Sequence, residues 1–390
     1  MIQLRGHKER WFTGAGALGL DGFDAGHPPL VRAYKMPFRA AGLLDPHAFT
    51  VITKTVTSEP RAGRQTDWGF RKYCWPVFPL SWRSMVNAVA LTNPGIDHWI
   101  RVHYRHAIRK KIKLVLSLHV HDAANAVALA KKVQPLRDLA GVQINAGCPN
   151  LDPAHSDPDA EVAGFTKIVD AFQGVYTGPL LIKFRLGQPW ERMAEALEGR
   201  CAAYELVNAC PWDHAKTLCL TPQQSLAGKG MVDGVSPLAK YGVGGSVSGG
   251  RLAYSATIAM GRYKTAGGLT PVVSGGGVVG HYDPNGYPKS WQPLESEVRL
   301  RFYEGADAVA FSTAFLWEPW APNRAVKTFD RMFREDGDWG ERMARIAAHF
   351  RKKQEWKWPP SRRKAELHGG CNYQMDGDFP TFDHGAGSLD

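Results

Sequence analysis

The chain has 390 residues, of which 44% are hydrophobic, and carries a formal net charge of +11 with a pI of about 9.3. A chain of this length forms one large domain or two ordinary ones, and none of its apolar runs reaches the roughly 18 residues that a membrane span requires. The N-terminus lacks the apolar stretch of a signal peptide, so we expect a cytoplasmic protein. The six cysteines are dispersed without a C-x-x-C pair, which argues against a zinc or iron–sulfur site.

Eight short apolar segments recur along the chain, and a turn signal followed by a helical pattern comes after most of them. They span residues 12–18, 49–55, 114–120, 142–147, 180–186, 204–210, 271–276 and 308–314. Helical patterns between them include residues 122–133 and 158–172. Strands that alternate with helices indicate parallel βα units, and eight such units predict an α/β protein with a (β/α)8 TIM barrel. The alternative is a doubly wound open sheet, which usually has a glycine-rich dinucleotide fingerprint after its first strand. Gly14-Ala15-Gly16 matches that fingerprint only in part.

Two stretches interrupt this alternation. Residues 66–86 are rich in aromatic residues and proline, and we expect them to form a small antiparallel excursion over the top of the barrel. Residues 211–250 form a connection long enough to suggest a functional role. We assign residues 1–330 to the barrel and residues 331–390 to a basic, partly disordered C-terminal extension.

Two basic clusters, at residues 101–113 and 351–364, account for part of the charge. They are compatible with nucleic-acid binding. We favour a solvated helix face and a basic tail instead.

Residues that can carry chemistry follow several of the predicted strands. The sequence G-V-Q-I-N-A-G-C-P-N at 141–150 places Asn145, Cys148 and Asn150 at the carboxyl end of one strand, which carries the chemistry in such barrels. Amides can hold a planar polar substrate there, and a thiol can move a proton. The alternative is that the asparagines form turns and the cysteine is a buried spacer.

Two lysines and two glycine-rich segments add to this set. Lys54 ends the second predicted strand, where it would supply a fixed positive charge. Lys183 lies inside an apolar strand, and an interior lysine is costly to bury unless it meets an anion or a polar cofactor edge. The ends of strands seven and eight, at residues 274–277 and 311–313, are typical of the phosphate site of such barrels.

The ordered set of motifs resembles the dihydroorotate dehydrogenase family of FMN-binding (β/α)8 barrels. The motifs are T-K-T-V-T at 53–57, N-A-V-A-L-T-N-P-G-I-D at 87–97, I-N-A-G-C-P-N at 144–150, I-K at 182–183, V-N at 207–208, G-G at 276–277 and G-A-D-A-V-A-F-S-T-A at 305–314. They occur in family order across residues 12–325. The Cys148 position is similar to the cysteine-using class 1 enzymes rather than to the serine-using, membrane-associated class.

The resemblance implies FMN-dependent oxidation of dihydroorotate to orotate in pyrimidine biosynthesis, with hydride transfer to flavin N5. It implies that Cys148 is the base and that Lys54 and Lys183 are further catalytic residues, Lys183 near flavin N1. The implied substrate-binding residues are Lys54, Asn87, Leu91, Asn145, Asn150 and Asn208. The implied cofactor-binding residues are Ala15, Gly16, Lys54, Thr55, Asn145, Lys183, Asn208, Ser248, Gly249, Gly276, Gly277, Ser312 and Thr313. No metal ion is expected.

The chain also departs from the family pattern. Ala209 stands where the family usually has serine or threonine, and residues 244–249 match the family's G-G-L-S-G only with one inserted residue. Residues 18–48 have no family counterpart. The alternatives are therefore an FMN barrel that acts on another pyrimidine, similar to dihydropyrimidine dehydrogenase or tRNA-dihydrouridine synthase, and a non-catalytic flavin-binding barrel. The presence of both Lys54 and Cys148 argues against the last.

The expected partner is a small-molecule pyrimidine, and we expect neither nucleic acid nor a membrane. The sequence leaves open a homodimer and an electron-transfer partner subunit. It also leaves open whether the electron acceptor is fumarate, NAD through such a subunit, or quinone.

Overall fold

The computed structural model describes residues 1–63, 77–80, 83–87, 89–146, 157–186, 188–206, 210–211, 246–249, 253–279, 281–282, 291–292 and 294–335. All of these residues belong to one compact unit of the chain, Met1–Trp356. Of the predicted C-terminal extension, residues 331–335 lie within the described part and the remainder lies outside it.

Eight parallel strands form a single sheet whose strand order follows the chain. The strands, named below barrel strands one to eight, are Trp11–Thr13, Val51–Ile52, Leu114–Leu118, Leu139–Asn145, Leu180–Lys183, Ala203–Leu206, Val272–Ser274 and Ala308–Phe311. Strand eight pairs with strand one, and a parallel bridge between Phe12 and Thr50 joins strand one to the start of strand two. The sheet therefore closes on itself, which confirms the (β/α)8 barrel and excludes the open sheet. Each predicted apolar segment overlaps one of these strands.

Helices alternate with the barrel strands. They are Pro29–Ala40, Ile96–His98, Arg105–Arg109, Ala123–Val133, Pro158–Gln173, Trp190–Ala196, Ala253–Thr265, Leu294–Tyr303, Ala314–Trp317 and Ala321–Glu335, with a 3-10 helix at Pro46–Ala48 and a π-helix at Trp99–Tyr104. The two helices predicted from the sequence begin at side-chain caps. The Asp122 carboxylate accepts a hydrogen bond from the Asn125 amide at 2.7 Å, and that of Asp157 accepts one from the Asp159 amide at 2.9 Å. Such caps satisfy amides that have no partner inside the helix.

Two apolar layers stabilise the barrel. The larger lies between the strands and the surrounding helices. The smaller fills the inside of the barrel with residues such as Phe12, Ile52 and Leu181, and it includes Ile2 and Leu4. These last two come from an N-terminal hairpin, Ile2–Leu4 and His7–Glu9. Because apolar side chains fill the barrel interior, a polar ligand has to bind at the C-terminal ends of the strands.

A four-stranded antiparallel sheet lies beyond those ends. Its strands, in spatial order, are Cys210–Pro211, Ser246–Gly249, Ser84–Asn87 and Val77–Leu80. The sheet thus joins the chain after barrel strand two to the long connection after strand six, and it confirms the predicted antiparallel excursion. A shorter hairpin, His281–Tyr282 and Trp291–Gln292, follows barrel strand seven. No helix in the described part of the chain is long and apolar enough to cross a membrane.

Candidate active site

Polar side chains replace apolar ones near the C-terminal ends of barrel strands four and five. Side chains alternate along a strand, so Lys183 points to the same side as Leu181, which lies in the barrel interior. Asn145 pairs in register with Lys183 on the neighbouring strand. The two side chains are 5% and 3% exposed, respectively. The structure therefore brings two of the predicted residues together in one buried polar layer.

The Asn145 side chain donates a hydrogen bond through Nδ2, whereas its Oδ1 accepts none from the described residues. Its Nδ2 donates to Thr55 Oγ1 at 3.4 Å, and Thr55 Oγ1 lies 3.0 Å from Ser117 Oγ. Asn145 Oδ1 is buried and accepts no hydrogen bond from the described residues. A buried carbonyl oxygen without a donor is destabilising, and a ligand N–H group can satisfy it. Thr55, a predicted cofactor ligand, holds the Asn145 side chain in this structure.

Lys54 follows barrel strand two and lies against the loop of residues 14–19. Its terminal nitrogen is enclosed, and burial lowers the pKa of Lys54 to about 7. Gly16 has a φ of +80°, and a Cβ there would lie 3.3 Å from Cα, Cβ and Cγ of Lys54. The backbone of Lys54 is held as well, because its amide donates to the Gly19 carbonyl at 2.8 Å. Two predicted positions, Gly16 and Lys54, are therefore direct neighbours, with Ala15 adjacent in the chain.

The glycine-rich end of barrel strand seven is held by hydrogen bonds from a buried arginine. Gly276 and Gly277 have φ values of +66° and +76°, a conformation that favours glycine. Arg301, which is fully buried, donates to the Gly276 carbonyl at 3.0 Å and to Ser274 Oγ at 3.1 Å. Its Nε donates to Glu297 Oε1 at 2.6 Å. This pair was not predicted: the i, i+4 spacing is visible in the sequence, but such pairs usually lie on a helix surface.

The end of barrel strand eight adjoins strand one and the antiparallel sheet. A Cβ on Gly14 would lie 2.6 Å from Ser312 Cβ, so the backbone at Gly14 is in close contact with Ser312. Thr313 Oγ1 donates to Ser248 Oγ at 3.5 Å. Three predicted cofactor residues, Ser312, Thr313 and Ser248, thus meet at one corner of the barrel, and Gly249 follows in the same strand.

A buried carboxylate in the polar layer was missed from the sequence. Glu205 is 2% exposed, and its Oε2 accepts a hydrogen bond from Gln143 Nε2 at 2.6 Å. It pairs in register with Lys183 on the side opposite Asn145. A Cβ on Gly275 would lie 2.8 Å from Glu205 Oε1, so a larger residue there would displace the Glu205 carboxylate. The sequence contained the information needed to find it, because Glu205, like Lys183, is a charged residue inside an apolar strand.

The remaining predicted residues are not among the contacts described above. Cys148, Asn150 and Asn208 fall outside the described residues. Asn87 lies in the antiparallel sheet, in register with Ser246, and Leu91 occupies the following turn with a φ of +54°.

No protein-family model matches the chain. Dihydroorotate dehydrogenase B (NAD(+)), catalytic subunit, of Thermoplasma acidophilum is 31% identical over 135 residues, covering 31% of this chain and 41% of the relative. Dihydroorotate dehydrogenase A (fumarate) of Lacticaseibacillus paracasei is 27% identical over 144 residues, covering 34% of this chain and 43% of the relative. The chain therefore spans about two fifths of the length of these curated relatives.

A solved structure of similar fold is DHODH from Eimeria tenella in complex with ferulenol. Its TM-score is 0.52 at 15% sequence identity, over 77% of this chain and 78% of the other. The ligand-free form gives a TM-score of 0.51 at 15% identity, over 71% and 75%. At this identity the structures show a shared fold. Together with the curated relatives, they confirm that the chain resembles dihydroorotate dehydrogenases.

Proposed function

We propose that this protein binds FMN and oxidises dihydroorotate to orotate, with Cys148 as the base. The observation that carries the proposal is the convergence of Lys54, Lys183 and Asn145 at the C-terminal end of a closed barrel, in a chain that resembles dihydroorotate dehydrogenases. Enclosed cations and an open amide acceptor suit a planar, anionic heterocycle.

The described residues fit an FMN at this end of the barrel. Asn145 Oδ1 offers a buried acceptor to a ring N–H group, and the glycine at position 16 lets the loop backbone approach Lys54 closely. Backbone amides at Gly276 and Gly277 are in a conformation suited to a phosphate. We assign the FMN phosphate to those amides, together with Ser312, Thr313 and Ser248.

When bound, FMN would supply the electrophilic ring that accepts the substrate hydride. Lys54 would orient the substrate carboxylate by charge, and burial would strengthen that interaction. Asn145, with Asn87, Leu91, Asn150 and Asn208, would bind the pyrimidine. Cys148 would remove the proton from substrate C5, a role that a thiolate near a cationic group can perform.

Anaerobic mixing tests the proposal. The purified protein is loaded with FMN and mixed with dihydroorotate, and flavin absorbance is followed in a stopped-flow instrument. We expect bleaching by dihydroorotate, followed by reoxidation on addition of an electron acceptor, with fumarate and a quinone each tried, since NAD would act only through a partner subunit. Uracil, thymine and a tRNA transcript are assayed in the same way, starting from reduced flavin.

The outcomes separate the alternatives. Reoxidation by uracil or thymine without bleaching by dihydroorotate would favour a dihydropyrimidine dehydrogenase-like enzyme, and reoxidation by tRNA a dihydrouridine synthase-like one. A flavin that none of these substrates reduces or reoxidises would indicate a binding protein. Failure to take up FMN would refute the proposal.

A further inference from the structure

A buried polar cluster lies beside the candidate site, within residues 18–48, for which the family motifs offer no counterpart. We name Asp24, His27, Lys35 and Arg39 the Asp24 cluster. Asp24 Oδ1 accepts a hydrogen bond from Lys35 Nζ at 2.9 Å, and Oδ2 accepts one from Arg39 Nη2 at 2.7 Å. His27 Nδ1 lies 2.9 Å from Asp24 Oδ1. Asp24, His27 and Lys35 are 2%, 6% and 0% exposed, so two of the three groups that converge on this carboxylate are buried with it, while Arg39 is partly exposed.

The cluster contacts the loop that lies against Lys54. His27 Nε2 lies 2.7 Å from the Gly16 carbonyl oxygen, within hydrogen-bonding distance. Lys35 Nζ donates to the Ala17 carbonyl at 2.7 Å. Two consecutive carbonyls of the loop are therefore contacted by side chains that also contact Asp24.

Burial makes this arrangement rigid. Burial lowers the pKa of the Lys35 ammonium, although the nearby Asp24 carboxylate opposes the shift. Burial alone would raise the pKa of Asp24, but the His27 hydrogen bond and the charges of Lys35 and Arg39 outweigh it and hold the pKa well below its ordinary value. A buried charge that loses its partner is strongly destabilising. If the Ala17 carbonyl moved away, the buried Lys35 ammonium would keep Asp24 but lose one hydrogen-bond acceptor, which is costly in a buried site.

The same loop fixes the backbone of Lys54. The Gly16 amide donates to the Ile52 carbonyl at 3.2 Å, and the Gly19 carbonyl accepts from the Lys54 amide at 2.8 Å. Gly19 has a φ of +79°, and a Cβ there would lie 2.5 Å from the Ala25 carbonyl oxygen. The loop is thus held between the Asp24 cluster on one side and Lys54 on the other.

A second pair of contacts holds the residues that follow the loop. Trp99, fully buried, donates from Nε1 to the Leu20 carbonyl at 2.9 Å. His106 Nδ1 lies 2.7 Å from Asp21 Oδ2. The segment is therefore also held by the helices of residues 99–109, which a flexible surface insertion would not require.

We propose that Asp24, His27 and Lys35 are positioning residues that hold Gly16, Ala17 and the Lys54 backbone in the geometry that receives the cofactor ring. The identity of that ring rests on the proposed function. The positioning itself is a property of the protein alone, so it can be measured without any ligand.

The test compares Lys35→Met with the wild type and with Lys264→Met as a matched control. Lys264 forms an ion pair with Asp307 at 3.0 Å, before barrel strand eight and away from the C-terminal ends of the strands. Hydrogen–deuterium exchange is measured on the FMN-free proteins for peptides that contain Gly16 and Lys54. We expect exchange there to rise about tenfold or more in Lys35→Met, with exchange in barrel strands three and four unchanged. Lys264→Met should match the wild type.

FMN affinity, measured by quenching of FMN fluorescence, provides the second readout. We expect about a tenfold loss in Lys35→Met and in His27→Leu, and partial recovery in His27→Gln, whose amide can still donate to Gly16. If Lys35→Met does not fold, Arg39→Gln replaces it as a milder change at a partly exposed position. Its FMN affinity should lie between that of the His27 variants and that of the wild type.

Unchanged exchange in the variants would overturn the proposal whatever the affinity. Faster exchange with unchanged FMN affinity would reduce the cluster to a stabilising role and would also overturn it. If the wild type itself takes up no FMN, the proposed function fails, and the exchange data still decide whether the cluster positions Lys54.

Discussion

Lys54 should take up a proton when an anionic ligand binds beside it. Burial lowers the pKa of Lys54 from 10.5 to about 7 in the ligand-free protein. A carboxylate within contact distance favours the charged ammonium and returns the pKa toward its ordinary value. At pH 8 the free site then carries about 0.1 proton on Lys54 and the liganded site about 1, so binding takes up about 0.9 proton.

The sign of the pH dependence follows from the same shift. Below pH 7 Lys54 is already charged, and the affinity for orotate should not depend on its titration. Above pH 7 the free lysine is neutral, so each further pH unit should weaken orotate binding about tenfold until the pKa of the liganded site is reached. A full return to 10.5 corresponds to about 5 kcal/mol of coupling as an upper bound, since one pKa unit is about 1.4 kcal/mol.

Isothermal titration calorimetry measures this uptake directly. FMN-loaded protein is titrated with orotate at pH 8 in phosphate and in Tris, whose ionisation enthalpies differ, and the difference in heat gives the number of protons. Lys54→Met should bind weakly and take up none, while Lys264→Met should behave as the wild type. Heats that do not depend on the buffer in the wild type, or the same uptake in Lys54→Met, would refute the reasoning.

Four further outcomes are expected. Cys148→Ala should retain FMN but reduce it with dihydroorotate roughly 100-fold more slowly in stopped-flow experiments, and a near wild-type rate would remove this thiol from the mechanism. Gly275→Ala should lower the free energy of unfolding in urea by about 1–3 kcal/mol, because the added methyl would lie 2.8 Å from Glu205 Oε1. Arg301→Met removes the buried guanidinium that donates to Glu297, Ser274 and Gly276, and urea unfolding should show a loss of about 3–5 kcal/mol. Deletion of residues 351–390 should leave flavin reduction intact, and its loss in a folded barrel would place the tail in the site.

The barrel could be predicted because each strand is apolar and each is followed by a turn. The residues at which each strand begins and ends could not be predicted. Barrel strand two was predicted at residues 49–55 but spans Val51–Ile52. The reason is tertiary: the Thr53 amide still bonds to strand three, but the Lys54 amide turns away to the Gly19 carbonyl. A contact with a loop more than 30 residues earlier in the chain ends the strand, and no local signal encodes it.

Residues of the candidate site could be predicted where a polar or charged side chain interrupts an apolar strand. A lysine inside an apolar strand identified Lys183, and the same signal would have identified Glu205. The Asp24 cluster gave no such signal, since Lys35 lies on a helix whose sequence also exposes Leu30 and Met36. Its burial depends on Asp24, 11 residues away, and only the folded chain brings the two together.

Glu205 and the Asp24 cluster also explain how this barrel can hold two buried lysines before any ligand binds. Lys183 lies in register with Glu205 on one side and with Asn145 on the other, so a negative charge and an amide dipole occupy its own layer. For Lys54, burial is what shifts the pKa, and the surrounding loop is held rigid by Asp24 and Lys35. Since burial is the cause of the shift, the charge state of Lys54 is sensitive to an incoming carboxylate, which favours the ammonium.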